Sequence, residues 1–298
     1  MKSARAILRA AFFGVATVVW SGQASISIYD FSSQLNDRFA NSSSFVAYAY
    51  NLSGIGLDNN GQWLTMISPN VFLSANHFHP STGASVTFYA SNDPNGLSVT
   101  RTVTSTAQRI GTSDLWIGTI NEPLPNSFVY YDFATQDITS LGQFNSSPYK
   151  DAVAFIMGRS PTGWSTSQDM AVGCNKLDRW FDSITVGGTT DDAMGAVYDG
   201  PSDPNFVSSE ARVESGDSGA GMFVPSAGGK LTLVGINWFQ YTAGSETGSG
   251  FSYVGNYDGQ IQSFLNAYSV PEPSVFGTVA GLVALGWGFS RRLRKSSG

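Results

Sequence analysis

The chain is built from short runs of β-branched and aromatic residues, cut at intervals by Asn, Gly, Pro and Asp. The runs are too short for helices that bury a face, and the punctuation is that of tight turns, so the pattern predicts an all-β fold. Residues 44–52, 62–68, 71–75 and 85–90 form one series, separated or followed by Asn59-Asn60-Gly61, Ser68-Pro69-Asn70 and Asn92-Asp93-Pro94-Asn95-Gly96. Residues 99–103 and 115–120 continue it, and Pro123-Leu124-Pro125 then breaks any strand and reads as a linker. A second series comprises residues 152–157, 183–186, 221–224, 231–237 and 251–254. Strands at this spacing favour a barrel or a sandwich. Helical periodicity occurs only at 257–267, where Ile261, Phe264 and Leu265 share a face. Residues 160–205 are too rich in Gly, Thr and Asp to assign, and no internal repeat is visible.

The first 24 residues have the layout of a signal peptide. Lys2, Arg5 and Arg9 precede an apolar run over 10–20, and Gly22-Gln23-Ala24 places small residues three and one before a cut. The alternative is a buried amphipathic helix. Export places the mature protein, from about Ser25, where disulfides form, yet Cys174 is the single cysteine. No internal disulfide can close, so stability must come from packing and sheet hydrogen bonds. No motif beside Cys174 supports a thiol nucleophile, and no Cys/His cluster has metal-ligand spacing, so neither metal nor other cofactor is expected. A net charge of −6 with few charged residues argues against a nucleic-acid partner.

The stretch Gly216-Asp217-Ser218-Gly219 carries the chemistry. A serine hydroxyl needs a neighbouring base and backbone donors aimed where charge develops on an attacked carbonyl. Glycines at 216 and 219 permit such a turn and a close substrate approach; an ordinary Gly/Ser hairpin is the alternative. A base must be one of two histidines. His77 closes the apolar run 71–75, whereas His79 precedes Pro80 and belongs to the following loop. The orienting acid should be buried, and Asp114, at the mouth of the apolar run 115–120, fits better than Asp93, Asp132 or Asp137 in their turn-like surroundings.

Leu73-Ser74-Ala75-Asn76-His77-Phe78, Ser113-Asp114-Leu115-Trp116-Ile117 and Gly216-Asp217-Ser218-Gly219 resemble, in order, the His, Asp and Ser motifs of trypsin-like serine proteases. The resemblance covers about residues 40–267. It implies two packed antiparallel β-barrels, one over 40–135 carrying His77 and Asp114 and one over 136–267 carrying Ser218 and ending in a short helix, preceded by a segment at 25–39. By the same resemblance Ser218 attacks a protein or peptide substrate, His77 moves the proton, Asp114 orients His77, and the N–H groups of Gly216 and Ser218 form the oxyanion hole. Arg212 matches the floor of the primary specificity pocket and, pointing inward, would favour acidic side chains. Asn237, Trp238 and Phe239 match the substrate-binding strand, with Phe239 where many relatives have Gly, a bulk that would narrow the pocket. No activation sequence precedes the first strand, and the partner of Asp217, a freed terminal amine at Ser25 or Ile26 or backbone donors, stays open. A trypsin fold that binds at a surface without turnover is the competing reading.

The tail, Val270-Pro271-Glu272-Pro273-Ser274, an apolar run to Phe289 and Arg291-Arg292-Leu293-Arg294-Lys295, resembles the PEP-CTERM sorting signal of Gram-negative bacteria. As a helix, 274–289 would be roughly 24 Å long, short of the ~30 Å hydrocarbon core, which suits a tilted or transient transmembrane anchor. The resemblance implies that residues 268–298, with the motif Pro271, Glu272 and Pro273, are recognised by an exosortase-type processing enzyme after signal peptidase has acted at the other end. The basic cluster stays cytoplasmic and the rest is sorted to the envelope or exterior. A permanent anchor is the alternative.

Overall fold

The computed structural model describes residues 25–163 and 168–269. The expected signal peptide at 1–24, the motif at Pro271, Glu272 and Pro273, and the apolar run behind it lie outside the described residues. Among those described, no helix is long and apolar enough to cross a membrane.

After β1 (Ser27–Ile28) and a single helical turn α1 (Ser33–Asn36), six strands close into a barrel: β2 (Ile55–Asp58), β3 (Trp63–Met66), β4 (Val71–Ala75), β5 (Ser85–Tyr89), β6 (Ser98–Arg109) and β7 (Leu115–Ile120). Their order is β2-β3-β4-β7-β6-β5, with β5 pairing back to β2, and every pairing is antiparallel. Closure removes the unpaired edges that an open six-stranded sheet would expose. Leu64, Met66, Phe72, Val86, Phe88 and Val103 form an apolar cluster in this barrel.

The rest of the chain contributes β8 (Asp132–Phe133), α2 (Leu141–Asn145), β9 (Val153–Gly158), β10 (Ala171–Lys176), β11 (Arg179–Val186), β12 (Thr189–Val197), β13 (Ala211–Arg212), β14 (Gly221–Ser226), β15 (Lys230–Ala243), β16 (Glu246–Tyr253) and α3 (Asp258–Tyr268). The second sheet runs β10-β9-β14-β15-β16-β12-β11, antiparallel throughout except for β8, which lies parallel beside β15. It is curled rather than closed. The chain is thus mostly β, in two barrel-like sheets with one short C-terminal helix.

Three differences from the sequence pattern have physical causes. Residues 44–52 alternate in burial, with Phe45, Ala47 and Leu52 inside, but their backbone turns on itself. The N–H groups of Phe45, Tyr48 and Tyr50 reach the carbonyls three residues earlier at 3.2, 2.8 and 2.9 Å, and the pairing strand is the short β2 beyond. The strand β6 extends to Arg109 because its polar, half-exposed residues still pair with β5 and β7. In the stretch 160–205 the legible run 183–186 falls at the end of β11, whereas β10 and β12 form by pairing with β9 and β16, which lie outside the stretch and which a local pattern does not display. The helix α3 buries Ile261 and Phe264 as its periodicity requires.

A common core joins the two sheets. Leu57, Trp63, Leu73 and Ile117 of the barrel belong to one buried cluster with Met157, Val172, Phe223 and Ile236 of the second sheet and Ile261 of α3. The N-terminal arm straps both. Its Ile26 N–H donates to Arg159 O at 3.0 Å, and Asn36 Nδ2 to Val172 O at 3.0 Å. The buried Arg38 guanidinium donates to Tyr89 O at 2.8 Å on the barrel side, and burial lowers its pKa to about 10.

Glu210 is buried and accepts the N–H of Val207 at 2.9 Å and that of Asp199. Burial nevertheless pushes its carboxyl up to about 7. A folded value above the unfolded one, near ~4.3, contributes stability below about pH 4 that is lost as the pH rises through 7. The denaturation midpoint should therefore fall between pH 5 and pH 8, and Glu210→Gln should flatten that fall; an unaltered slope in the variant would contradict the assignment.

Candidate active site

Three loops meet where the two sheets face each other. His77 follows β4, Asp114 precedes β7, and Ser218 lies between β13 and β14. The ladder between β4 and β7, in which Ala75 is opposite Leu115, brings the first two side by side. Asp114 O accepts Asn76 N–H at 2.6 Å, and one Asp114 carboxylate oxygen accepts His77 N–H at 3.2 Å. The other carboxylate oxygen lies 2.7 Å from His77 Nδ1. Ser218 Oγ lies 2.9 Å from His77 Nε2. Because an ionised carboxylate can only accept, Nδ1 carries the ring proton and Nε2 is left as an acceptor for the serine hydroxyl. Asp114 is fully buried, whereas the His77 side chain is 41% exposed. A buried charge thus backs an imidazole that solutes can reach.

His79 is elsewhere. Its ring stacks on Trp116 at 4.0 Å between centroids, its Nδ1 lies 3.2 Å from Pro80 O, and burial lowers its pKa.

The serine turn is shaped by close approach. Gly216 and Gly219 have φ of +104° and +88°, and a Cβ at Gly219 would lie 2.8 Å from Ser74 Oγ and 2.9 Å from Phe78 O. Only glycine fits there. Trp63 Nε1–H, from the barrel, donates to Gly216 O at 3.3 Å. Among the described residues, neither Gly216 N–H nor Ser218 N–H donates to a protein acceptor.

Asp217 is fully buried, and burial raises its pKa well above the usual carboxylate value. Its oxygens accept the N–H groups of Arg159 and Glu214, each at 2.7 Å. The sequence left this partner open between a terminal amine and the main chain; main-chain donors occupy it. Ile26 reaches the same neighbourhood only through the carbonyl of Arg159.

Arg212 sits on β13 beside Ser27 of β1. Its guanidinium is held by Glu214 Oε1 at 2.7 and 3.2 Å and lies over the Tyr198 ring. Ser27 Oγ donates to the same carboxylate at 2.5 Å, and Gln240 Nε2 donates to its other oxygen and to Val213 O at 2.7 Å. The positive charge expected to select acidic side chains is therefore already paired. Asn237 is buried, its Nδ2 donating to Met157 O at 2.8 Å and Asp217 O at 3.0 Å. The Phe239 ring lies on Gly250, where a Cβ would come within 2.1 Å of it, and meets Phe181 and Trp238 edge-on.

The sequence matches no protein-family model and no curated protein.

Several residues that shape it carry no local signal. Trp63 looks like one more strand residue, and Gln240 like an exposed polar one. Asp191, which burial pushes up to about 6, comes from the unassigned stretch. Gly158 is the most exacting: a Cβ there would lie 2.5 Å from the Asp217 carboxylate. Gly158→Ala should lower the unfolding free energy by about 1–3 kcal/mol through overpacking, measured by denaturant titration; unchanged stability would contradict the close packing of Asp217.

Proposed function

We propose that the chain is an exported trypsin-like serine endopeptidase that hydrolyses peptide bonds through an acyl-enzyme. The observation that carries this reading is the unbroken chain from Asp114 through His77 to Ser218, at 2.7 and 2.9 Å, built from loops 141 residues apart at its far link. A structural cluster has no need of a half-exposed imidazole between a buried carboxylate and an accessible hydroxyl.

In the proposed reaction, Ser218 Oγ attacks the carbonyl carbon of the substrate as His77 Nε2 takes its proton. Asp114 holds the Nδ1–H tautomer and stabilises the imidazolium that forms. The N–H groups of Gly216 and Ser218 receive the developing oxyanion, one such donor typically contributing about 3 kcal/mol. His77 then gives its proton to the leaving amine, and a water molecule repeats the sequence on the acyl-enzyme, releasing the acid and restoring Ser218. We also propose that signal peptidase frees residue 25 and that an exosortase-type enzyme acts at Pro271-Glu272-Pro273, leaving the protein in the envelope or outside the cell. The support for both is the sequence resemblance.

A second reading, a trypsin fold that binds at a surface without turnover, is favoured by one observation. The Gln240 side chain bridges Val213 O and Glu214, and would occupy space where substrate specificity is expected to be read. Hydrolysis of unfolded protein by the secreted form separates the two. Wild type should cleave, Ser218→Ala should not, and Asp114→Asn should lose about four orders of magnitude in kcat; a folded wild type with no cleavage would favour the silent binder.

The pairing of Arg212 with Glu214 alters the expectation for specificity. A peptide library should show no strong preference for Asp or Glu before the cut, and Glu214→Gln should create one by releasing the guanidinium. A marked acidic preference in wild type that Glu214→Gln leaves unaltered would contradict this.

A further inference from the structure

We propose that Asp191 is a positioning residue that holds the main-chain amide of Asp114 from the second sheet, and thereby sets where the Asp114–His77 pair stands relative to Ser218. The kinetic part of this proposal rests on the endopeptidase reading; the structural part does not.

Asp191 lies on β12, buried, and its carboxylate is saturated. Oδ2 accepts Asp114 N–H at 3.3 Å and the Ser252 hydroxyl. Oδ1 accepts the Tyr257 hydroxyl at 2.5 Å and Asp192 N–H at 2.9 Å. A carboxylate offers about four acceptor positions, and each is taken. Three of these bonds stay within the second sheet and the turn that enters α3. Only the fourth leaves it, and it ends on the residue that faces His77.

The reason to assign this bond a role lies in what the other contacts of Asp114 leave free. The bonds from Asn76 N–H, His77 N–H and His77 Nδ1 all come from the end of β4. They fix Asp114 against His77, but they cannot fix either against Ser218, which belongs to the other sheet. Asp191 supplies that registration. The loop before Asp114 is drawn to the same strand: the Arg109 guanidinium donates to Ser113 O at 2.6 Å, to Thr112 O, and to Thr189 Oγ1 at 3.1 Å on β12. Packing alone would be served as well by an apolar residue, since a buried carboxylate is costly to desolvate; the four donors here are specific to an acceptor that must hold a main-chain N–H in place.

Asp191→Asn tests it, because an amide presents its NH2 to donors that need an acceptor. The readout is the pair of ring-nitrogen chemical shifts of His77 in 15N-labelled protein, resolved from the one other histidine by comparison with His79→Gln. These shifts report the tautomer and the hydrogen bond made at each ring nitrogen, whether or not the protein hydrolyses anything. We expect wild type to show the Nδ1–H form with Nε2 shifted by its bond from Ser218, and Asp191→Asn to keep that tautomer while its Nε2 shift moves toward the value found in Ser218→Ala. Where peptide hydrolysis is measurable, kcat should fall on the order of tenfold with KM unchanged, the scale at which supporting contacts act. Tyr257→Phe removes one hydroxyl that holds the carboxylate and should move the same shifts less; it decides the matter by itself if Asp191→Asn does not fold. Unmoved His77 shifts in a folded Asp191→Asn, or in Tyr257→Phe where that variant alone folds, would overturn the proposal. His77 shifts altered by Asp191→Asn in a protein whose wild type proves inactive would retain Asp191 as a positioning residue and remove only the endopeptidase reading.

Discussion

The 2.9 Å approach of Ser218 to His77 joins two sheets that, among the described residues, have no strand pairing with each other, and the contacts around it serve to hold that distance. Burial of Leu57, Leu73 and Ile117 against Met157, Phe223 and Ile236 brings the sheets together. The hydrophobic effect is non-directional, however, and tolerates sliding. Direction comes from polar contacts that cross the boundary in both senses. Trp63 of the barrel holds the Gly216 carbonyl of the serine turn, Asp191 of the second sheet holds the Asp114 amide, and Gly219 lets the turn press against Ser74 and Phe78.

Next to Ser218 lies the buried carboxyl group of Asp217, which has no salt-bridge partner among the described residues. Asp217 is satisfied by two N–H groups, a common way to keep such a group inside a protein. Among the described residues, the Ser218 turn is therefore held at Asp217 by main-chain donors. The N-terminal arm contributes differently, as a strand beside β13 and as a bond to the carbonyl of the same Arg159 that serves Asp217. The arm also presents Ser27 to Glu214, so the ground on which Arg212 stands is assembled from three separate stretches of chain.

The sequence singled out the three side chains that meet in the structure because His77 and Asp114 stand beside apolar runs, where a polar residue stands out, and Ser218 lies in a glycine-flanked turn. It disclosed α3 because periodicity survives when a helix buries one face. It misplaced the first strand, since Phe45 and Ala47 alternate in burial without pairing; it showed only 183–186 of β11, and it was silent about β10 and β12, which pair with β9 and β16 outside the Gly-, Thr- and Asp-rich stretch. The same blindness to distant partners hid Asp191, whose four donors come from the main chain of Asp114 and Asp192 and the side chains of Ser252 and Tyr257. It also hid the pairing of Arg212, since Glu214 two residues along a strand would be expected on the same face but nothing local tells which way that face points.

The central claim is that Ser218 alone, among the many serines of the chain, is an activated nucleophile. Intact mass followed by peptide mapping after exposure to a fluorophosphonate measures this directly. The account predicts one adduct per chain, on Ser218, and none on protein carrying His77→Ala. A folded wild-type protein that stays unmodified, or one modified at a serine away from His77, would contradict it.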